Sequence, residues 1–300
     1  MPTLLLATCA EVPDGEQDER PAIDALARQG LDVGLDVGLA AWDDPSVDWA
    51  SADLVVVRST WDYVGRRAEF LEWARSVPRL ANPAEVLAWN TDKTYLRALT
   101  DAGLPVVPTT WYDPGDSPQA PVGEVVVKPT VSAGARDTQR HIDPDAARAH
   151  IDALLAAGRA VMVQPYLEGV DTAGETGLVW MGDRYSHSFR KAPLLAAGAG
   201  ATRELYAAET IGARTPSAAE LDVADRVLDA LAAVAPVGRD QLLYARVDLV
   251  PGPDGSPVLL ELELTEPSLW FVADPDSPGR WANTVIARLG FAATEGRPAG

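Results

Sequence analysis

Arg246-Val247-Asp248 and Glu261-Leu262-Glu263 flank the turn signal Pro253-Asp254-Gly255, with Glu261 thirteen positions after Asp248. Residues two apart on a strand share a face, so a hairpin built on these segments projects Arg246 beside Asp248 and Glu261 beside Glu263. Three carboxylates converging from paired strands repel one another unless a cation lies among them. Oxygen ligands alone, in a chain with three histidines, one cysteine and no Cys/His ligand spacing, suit Mg²⁺ held together with substrate phosphates. Leu260, Leu262 and Leu264 alternate with the acids and supply the opposite, buried face.

The basic residues carry a second signal. Of 25, only Lys93, Lys128 and Lys191 are lysine, which marks places where a compact ammonium on a flexible stem suits the chemistry. Lys128 ends an apolar run and leads into Ser132-Ala133-Gly134-Ala135, a loop small enough for backbone N–H groups to approach a phosphate. Its spacing differs from Gly-x-x-x-x-Gly-Lys-Ser/Thr, which excludes a P-loop. Further on, a strand runs into Gln164-Pro165-Tyr166-Leu167, where extended backbone and the Gln164 amide could read a purine edge. Glu175, with Asp171 as the less favoured alternative, could accept both hydroxyls of a ribose.

Arg58-Ser59-Thr60-Trp61-Asp62-Tyr63 closes an apolar strand, and ligands of open α/β sheets bind beyond the carboxyl ends of strands. There Trp61 offers an apolar wall, Asp62 an acceptor for a substrate ammonium and Tyr63 a hydroxyl. Arg190-Lys191 ends another strand before the Ala/Gly-rich run 196–201, whose sparse side chains suit a lid, with Arg203 just beyond. His187 reads as a strand-face residue, and no general base emerges.

These residues need a scaffold. A strand at 4–7, a helix over 21–30, the tandem repeat Leu31-Asp-Val-Gly-Leu-Asp-Val-Gly38 read as strand and turn, and a strand over 53–58 make a small open α/β unit. Asn82 before Pro83 and Glu85 reads as a helix N-cap, and a second helix is expected over 92–102, stopped by Gly103. Strands follow at 124–128, near 138–141 and at 160–164, with a helix opened by Asp143-Pro144. Strands at 178–181 and 184–190 flank the hairpin signal Gly182-Asp183, and Ser217 with Glu220 forms a capping box for a helix to about 234. Strands at 241–250 and 257–264 carry the acids, and a last helix covers 278–289.

Three hundred residues amount to about two domains, and 47% apolar with 23% charged residues is ordinary globular composition. A net charge of −19 repels phosphate backbones and anionic lipid, so neither nucleic acid nor a membrane surface is an expected partner. The single Cys9 cannot form an intrachain disulfide. The first residues lack a basic stretch and no segment approaches the ~20 apolar residues of a membrane span, so a first strand and a cytoplasmic protein are expected.

Taken in order, Asn90-Thr-Asp-Lys93, Gly103-Leu-Pro-Val-Val-Pro108, Lys128-Pro with its small-residue loop, Gln164-Pro-Tyr-Leu167, Arg246-Val-Asp248 and Glu261-Leu-Glu263 resemble an ATP-grasp carboxylate–amine ligase over nearly the whole chain. The Asp248–Glu261 separation also resembles the metal-binding hairpin of D-alanine:D-alanine ligases. The resemblance implies an α/β (α+β) ATP-grasp fold. An N-terminal open α/β domain would span 1–80, a linker with helices 81–115, a mobile central lid subdomain 116–167 and a C-terminal metal-binding subdomain 168–300. It implies Lys93, Lys128, Ser132 and Gly134 on the phosphates of ATP, Gln164, Tyr166 and Leu167 on adenine, and Asp248, Glu261 and Glu263 on Mg²⁺. Arg246, with Arg190 and Lys191, would meet the charge that develops in acyl transfer. Glu263 stands where the family often has Asn, and the phosphate loop holds one glycine where relatives hold several.

Arg58-Ser-Thr-Trp-Asp-Tyr63 and Glu261-Leu-Glu-Leu-Thr-Glu-Pro-Ser-Leu269 are similar to the ligase group that contains the O-ureido-serine cyclo-ligase of D-cycloserine biosynthesis, an antibiotic pathway. That narrower likeness implies a small amino-acid-like carboxylate held by Arg58, Thr60, Trp61, Asp62, Tyr63, Arg203, Glu266 and Ser268. It would be activated as an acyl phosphate and closed by its own nitrogen. The rivals are an intermolecular ligase of the D-alanine:D-alanine ligase or glutathione synthetase type, and an ATP-binding sensor without turnover. Three metal carboxylates argue against the sensor, and homo-oligomerisation stays open.

Overall fold

The computed structural model describes residues 1–195, 205 and 209–291. The first layer is a parallel sheet of β1 (Thr3–Thr8), β2 (Asp36–Ala41), β3 (Leu54–Val57) and β4 (Leu80–Ala81) in the order β2-β1-β3-β4, with α1 (Arg20–Leu31) and α2 (Arg67–Ser76) as crossovers. All of β3 is buried because alternate residues serve two cores: Leu54 and Val56 pack on the α1 side, Val55 and Val57 on the α2 side. The duplicated segment 31–38 is used for the end of α1, a turn and the start of β2.

Next come α3 (Ala84–Asn90), α4 (Tyr95–Asp101) and a central antiparallel sheet. It comprises β5 (Thr110–Tyr112), β6 (Val125–Pro129), β7 (Gln139–His141) and β8 (Val161–Pro165), ordered β5-β8-β6-β7. The helix α5 (Pro144–Ala156) covers it through Ala147, Ile151, Leu154 and Leu155. Residues 110–112, expected in a linker, are a strand of this sheet; three residues are too few to display a period, and pairing with β8 decides their state.

After α6 (Gly169–Ala173), a third sheet is built from β9 (Glu175–Met181), β10 (Arg184–Lys191), β11 (Ile211–Ala213), β12 (Tyr244–Pro251) and β13 (Pro257–Glu263), ordered β11-β10-β9-β12-β13. The helix α7 (Ala218–Val234) opens with the expected capping box and covers one face, while α8 (Ser277–Arg288) packs on the other and against α1. One core, containing Leu4, Leu26, Tyr244, Leu269, Trp281 and Ile286, therefore runs from the N-terminal sheet into the third.

β13 is an edge strand whose free edge is occupied by other parts of the chain. Asn90 Nδ2 donates to the Leu262 carbonyl (2.8 Å) and the Leu264 N–H donates to Asn90 Oδ1 (2.7 Å). Tyr95 donates to the Leu262 carbonyl (2.8 Å) and accepts from the Leu262 N–H (2.9 Å), while Leu259 exchanges bonds with Pro105 and Val107. Such pairing removes the exposed donors and acceptors of an edge and fixes the strand's orientation.

Three local expectations are corrected. Asn82 caps no helix: it lies at φ 56°, fully buried, and α3 begins after Pro83 without a side-chain cap. Its amide instead stitches the start of β12 to the end of β13, donating to the Tyr244 (2.9 Å) and Leu264 (2.7 Å) carbonyls and accepting from the Leu243 N–H (2.7 Å). The second helix starts at Tyr95, because the Lys93 N–H donates to the Thr130 carbonyl (2.9 Å) and draws the preceding turn toward β6. A bulge between Asp248 and Leu249 gives the buried place to Leu259, so Leu260 turns to the opposite face while Leu262 and Leu264 stay buried.

Asn82→Ala should cost about 2–4 kcal/mol, since it strands three buried backbone groups at one point. Chemical denaturation of Asn82→Ala beside Asn82→Gly, which relaxes the positive φ but restores no bond, should show both variants strongly destabilised.

Candidate active site

A cavity opens where the third sheet, the central sheet and the end of β3 meet. Its floor is the β12–β13 hairpin. Asp248 is buried and receives both Arg246 Nε and Nη2 (2.9 Å each) and Lys191 Nζ (3.0 Å). Glu261 pairs with Lys93 (2.9 Å), whose ammonium also donates to the Ser132 carbonyl (2.6 Å). Glu263 pairs with Arg246, which reaches on to the Ser268 carbonyl (2.8 Å).

The charges are not evenly balanced. Burial opposes ionisation of Asp248, but Arg246 and Lys191 outweigh it and hold the carboxyl below its ordinary range. At Glu263 burial dominates, Glu261 and Asp248 add repulsion, and the carboxyl is pushed up to about 8 despite Arg246. Lys128 is buried with neither a salt bridge nor a hydrogen bond to its ammonium among the described residues, and that burial pushes its pKa down. An unpartnered buried ammonium calls for an anion.

Around Lys128 the chain is shaped for such a guest. Ser132 to Ala135 line the cavity, with Gly134 (φ 58°) and Ala135 (φ 59°) left-handed and the Ser132 hydroxyl donating to the Arg136 carbonyl (2.7 Å). Beyond them, Val107, Val126, Val170, Val250 and Leu260 form an apolar wall beside Tyr166 and Leu167. Gln164 lines it too, its amide nitrogen donating to Thr109 Oγ1 (3.0 Å), and Glu175 lies within 3.9 Å of Lys191. Among the described residues no three acids, histidines or cysteines close into a metal cage, because the hairpin acids are turned to cations. The set of hard oxygen donors with a surplus of buried negative charge nevertheless fits a divalent cation.

At the other end Trp61, Tyr63, Glu266 and Ser268 line the cavity. Asp62 does not join them: its carboxylate accepts from Trp42 Nε1 (2.8 Å) and pairs with Arg66 (2.5 Å). Arg58 also turns elsewhere, pairing with Glu19 (2.9 Å), donating to the Pro267 carbonyl (3.1 Å) and lying between the Tyr244 and Trp281 rings. Thr60 is fully buried in the same turn. Arg190 donates to the Ala173 and Thr172 carbonyls at the end of α6, and Asp171 takes the Tyr166 hydroxyl (2.6 Å). Run 196–201 and Arg203 lie outside the described residues. Glu16 and Trp270 line the cavity although no local pattern pointed to them; Trp270 is held at φ 50°, a conformation uncommon for a bulky side chain.

Residues 4–82 match the family model described as the N-terminal domain of D-cycloserine synthetase DcsG. The cycloserine biosynthesis protein DcsG of Streptomyces lavendulae is 37% identical over 306 residues, an alignment that covers 96% of this chain and 99% of the relative. The chain belongs to the DcsG family. A crystal structure of D-cycloserine synthetase DcsG superposes with a TM-score of 0.84 at 35% identity, covering 96% of this chain and 99% of that one. A D-alanine–D-alanine ligase from Bacillus anthracis, solved with ATP, shares the fold at TM-score 0.64 and 12% identity, covering 96% of this chain and 97% of that one. The fold is also that of ATP-grasp ligases, in agreement with the motif order. No helix among the described residues is long and apolar enough to cross a membrane.

Two substitutions separate site from scaffold in this DcsG-family member. Lys128→Met should raise the stability of the ligand-free protein by about 1–3 kcal/mol, because an unpaired buried charge disappears; ATP should raise the melting temperature of the wild type and not that of the variant. Asp62→Asn should lower the melting temperature and leave the KM for both substrates unchanged, since its partners are Trp42 and Arg66; steady-state kinetics with calorimetry checks both variants.

Proposed function

We propose that this protein is an ATP-dependent carbon–nitrogen ligase of the cyclo-ligase kind, forming D-cycloserine from O-ureido-D-serine. The observation that carries the reading is the end-to-end relationship to DcsG, 37% identical over 99% of that relative. The cavity supports it independently. Lys128, Lys93 and the Ser132–Ala135 loop line it and would hold phosphates, and the apolar wall with Gln164, Tyr166 and Leu167 would take adenine. Glu175 is the ribose acceptor in this reading.

Asp248, Glu261 and Glu263 would hold Mg²⁺, which when bound offsets negative charge on the transferring phosphoryl group. The substrate carboxylate attacks the γ-phosphoryl group, and ADP leaves. Arg246 and Lys191, both paired with Asp248, would offset the charge that builds in acyl transfer. The internal nitrogen then displaces phosphate from the acyl carbon. Trp61, Tyr63, Glu266 and Ser268 wall the end where the small substrate would sit, and exclusion of water there protects the acyl phosphate.

Incubation with ATP, Mg²⁺ and a single O-ureido amino acid should release ADP with no added amine. Mass spectrometry should find a ring: lighter than the substrate by one water while the carbamoyl group is kept, and, once that group is hydrolysed with uptake of one water, lighter than an O-ureido substrate by carbon dioxide and ammonia in all. Added amines should give no acceleration, since a tethered nitrogen has an effective concentration on the order of 10⁵ M or more. Linear amides with amine-dependent ADP release would move the protein to the intermolecular ligases.

A further inference from the structure

We propose that Glu266 is the general base of ring closure, with Tyr63 as its positioning residue. The inference rests on the cyclo-ligase reading. As the internal nitrogen attacks, its lone pair forms the C–N bond and phosphate departs with the electrons of the broken C–O bond. The proton lost from nitrogen passes to the Glu266 carboxylate, and from there to solvent when the products leave.

Glu266 is 8% exposed and lines the substrate end of the cavity beside Trp61, Tyr63 and Ser268. It differs from the hairpin acids in its partner. Asp248, Glu261 and Glu263 are each paired with lysine or arginine, whereas no ion pair holds Glu266 among the described residues. Tyr63 lines the same stretch of cavity wall, and its hydroxyl is the neutral group that most favours the ionised Glu266 carboxylate. Tyr63 is buried, which keeps that hydroxyl protonated and a donor. A neutral donor steers a carboxylate without neutralising it, so its remaining lone pairs stay available to accept a proton.

The backbone around Glu266 is fixed from four directions. Trp61 Nε1 donates to the Glu266 carbonyl (3.2 Å), Arg58 to the Pro267 carbonyl (3.1 Å), Arg246 to the Ser268 carbonyl (2.8 Å) and the Tyr244 hydroxyl to the Thr265 carbonyl (2.7 Å). Four consecutive carbonyls held by four side chains give the rigidity a proton acceptor needs. Burial is the largest influence on its basicity: with Tyr63, Lys93 and Arg246 pulling down and Glu261 pushing up, the carboxyl is raised to about 7. A base of that strength suits proton removal near neutral pH.

Trapping by hydroxylamine separates activation from closure, because it converts the acyl phosphate to a hydroxamate without the internal nitrogen. Glu266→Gln keeps the shape of the side chain and can still accept from Tyr63. At saturating substrate it should lower the ratio of ring to hydroxamate on the order of 10²-fold or more. Tyr63→Phe should lower the same ratio about tenfold. Equal loss of both products in Glu266→Gln, or undiminished ring formation, overturns the assignment. A wild-type enzyme that gives hydroxamate from the O-ureido amino acid but no ring overturns the cyclo-ligase reading itself, and this role with it.

Discussion

Burying several acids on one face of a hairpin is the constraint that organises the molecule. Asp248, Glu261 and Glu263 descend from adjacent strands into a setting where isolated carboxylates would be costly, and the chain answers with Lys93, Lys191 and Arg246. These cations come from different places: the turn between α3 and α4, the end of β10, and β12 itself. Electrostatic pairing therefore welds the helical linker and the third sheet around one point. The pairing is incomplete, as the raised Glu263 carboxyl and the solitary Lys128 ammonium show. What the protein leaves uncompensated is one surplus of each sign, and Mg²⁺ with polyphosphate would satisfy both.

Charges so placed act only if their strand does not slip. β13 is an edge, and a register shift of one residue would turn Glu261 and Glu263 away from the cavity. Asn90, Tyr95 and the 105–107 segment hold its outer rim, while Asn82 joins its end to the start of β12. The bulge at Asp248 fixes the register further and releases Leu260 to the apolar wall of the cavity. Polar residues of the linker thus serve the hairpin rather than their own helices.

That division also explains what could be read in the chain. Period-two alternation, the capping box at Ser217 and the turn signals are patterns within a few residues, and they correctly gave the hairpins and the helix α7. Asn82, Asp62 and Arg58 misled because each short motif allows a local role while the actual partners lie elsewhere. Asn82 is satisfied more than 160 positions downstream, and Arg58 meets Glu19 and Pro267. Trp42, which occupies Asp62, and Glu16 and Trp270, which reach the cavity, come from segments with no period at all. Buried polar groups must find partners, but the sequence does not say how far away.

The cavity finally divides along the boundary between what is general and what is particular to this family. The hairpin, the small-residue loop and the Gln164–Leu167 segment lie on a frame shared at 12% identity with a D-alanine–D-alanine ligase, so fold alone places them. The opposite end is built by the turn after β3, inside the 4–82 stretch that matches the DcsG N-terminal domain, and by the 265–270 segment. Arg58 joins the two, reaching from that turn to the Pro267 carbonyl while Glu19 balances its charge. An N-terminal sheet that shares its core with the third sheet can then shape the substrate end without disturbing the acid hairpin. On the proposed reading, substrate choice would reside in the turn carrying Trp61 and Tyr63 and in the segment carrying Glu266 and Ser268, and the activation of a carboxylate would fall to residues on the shared frame.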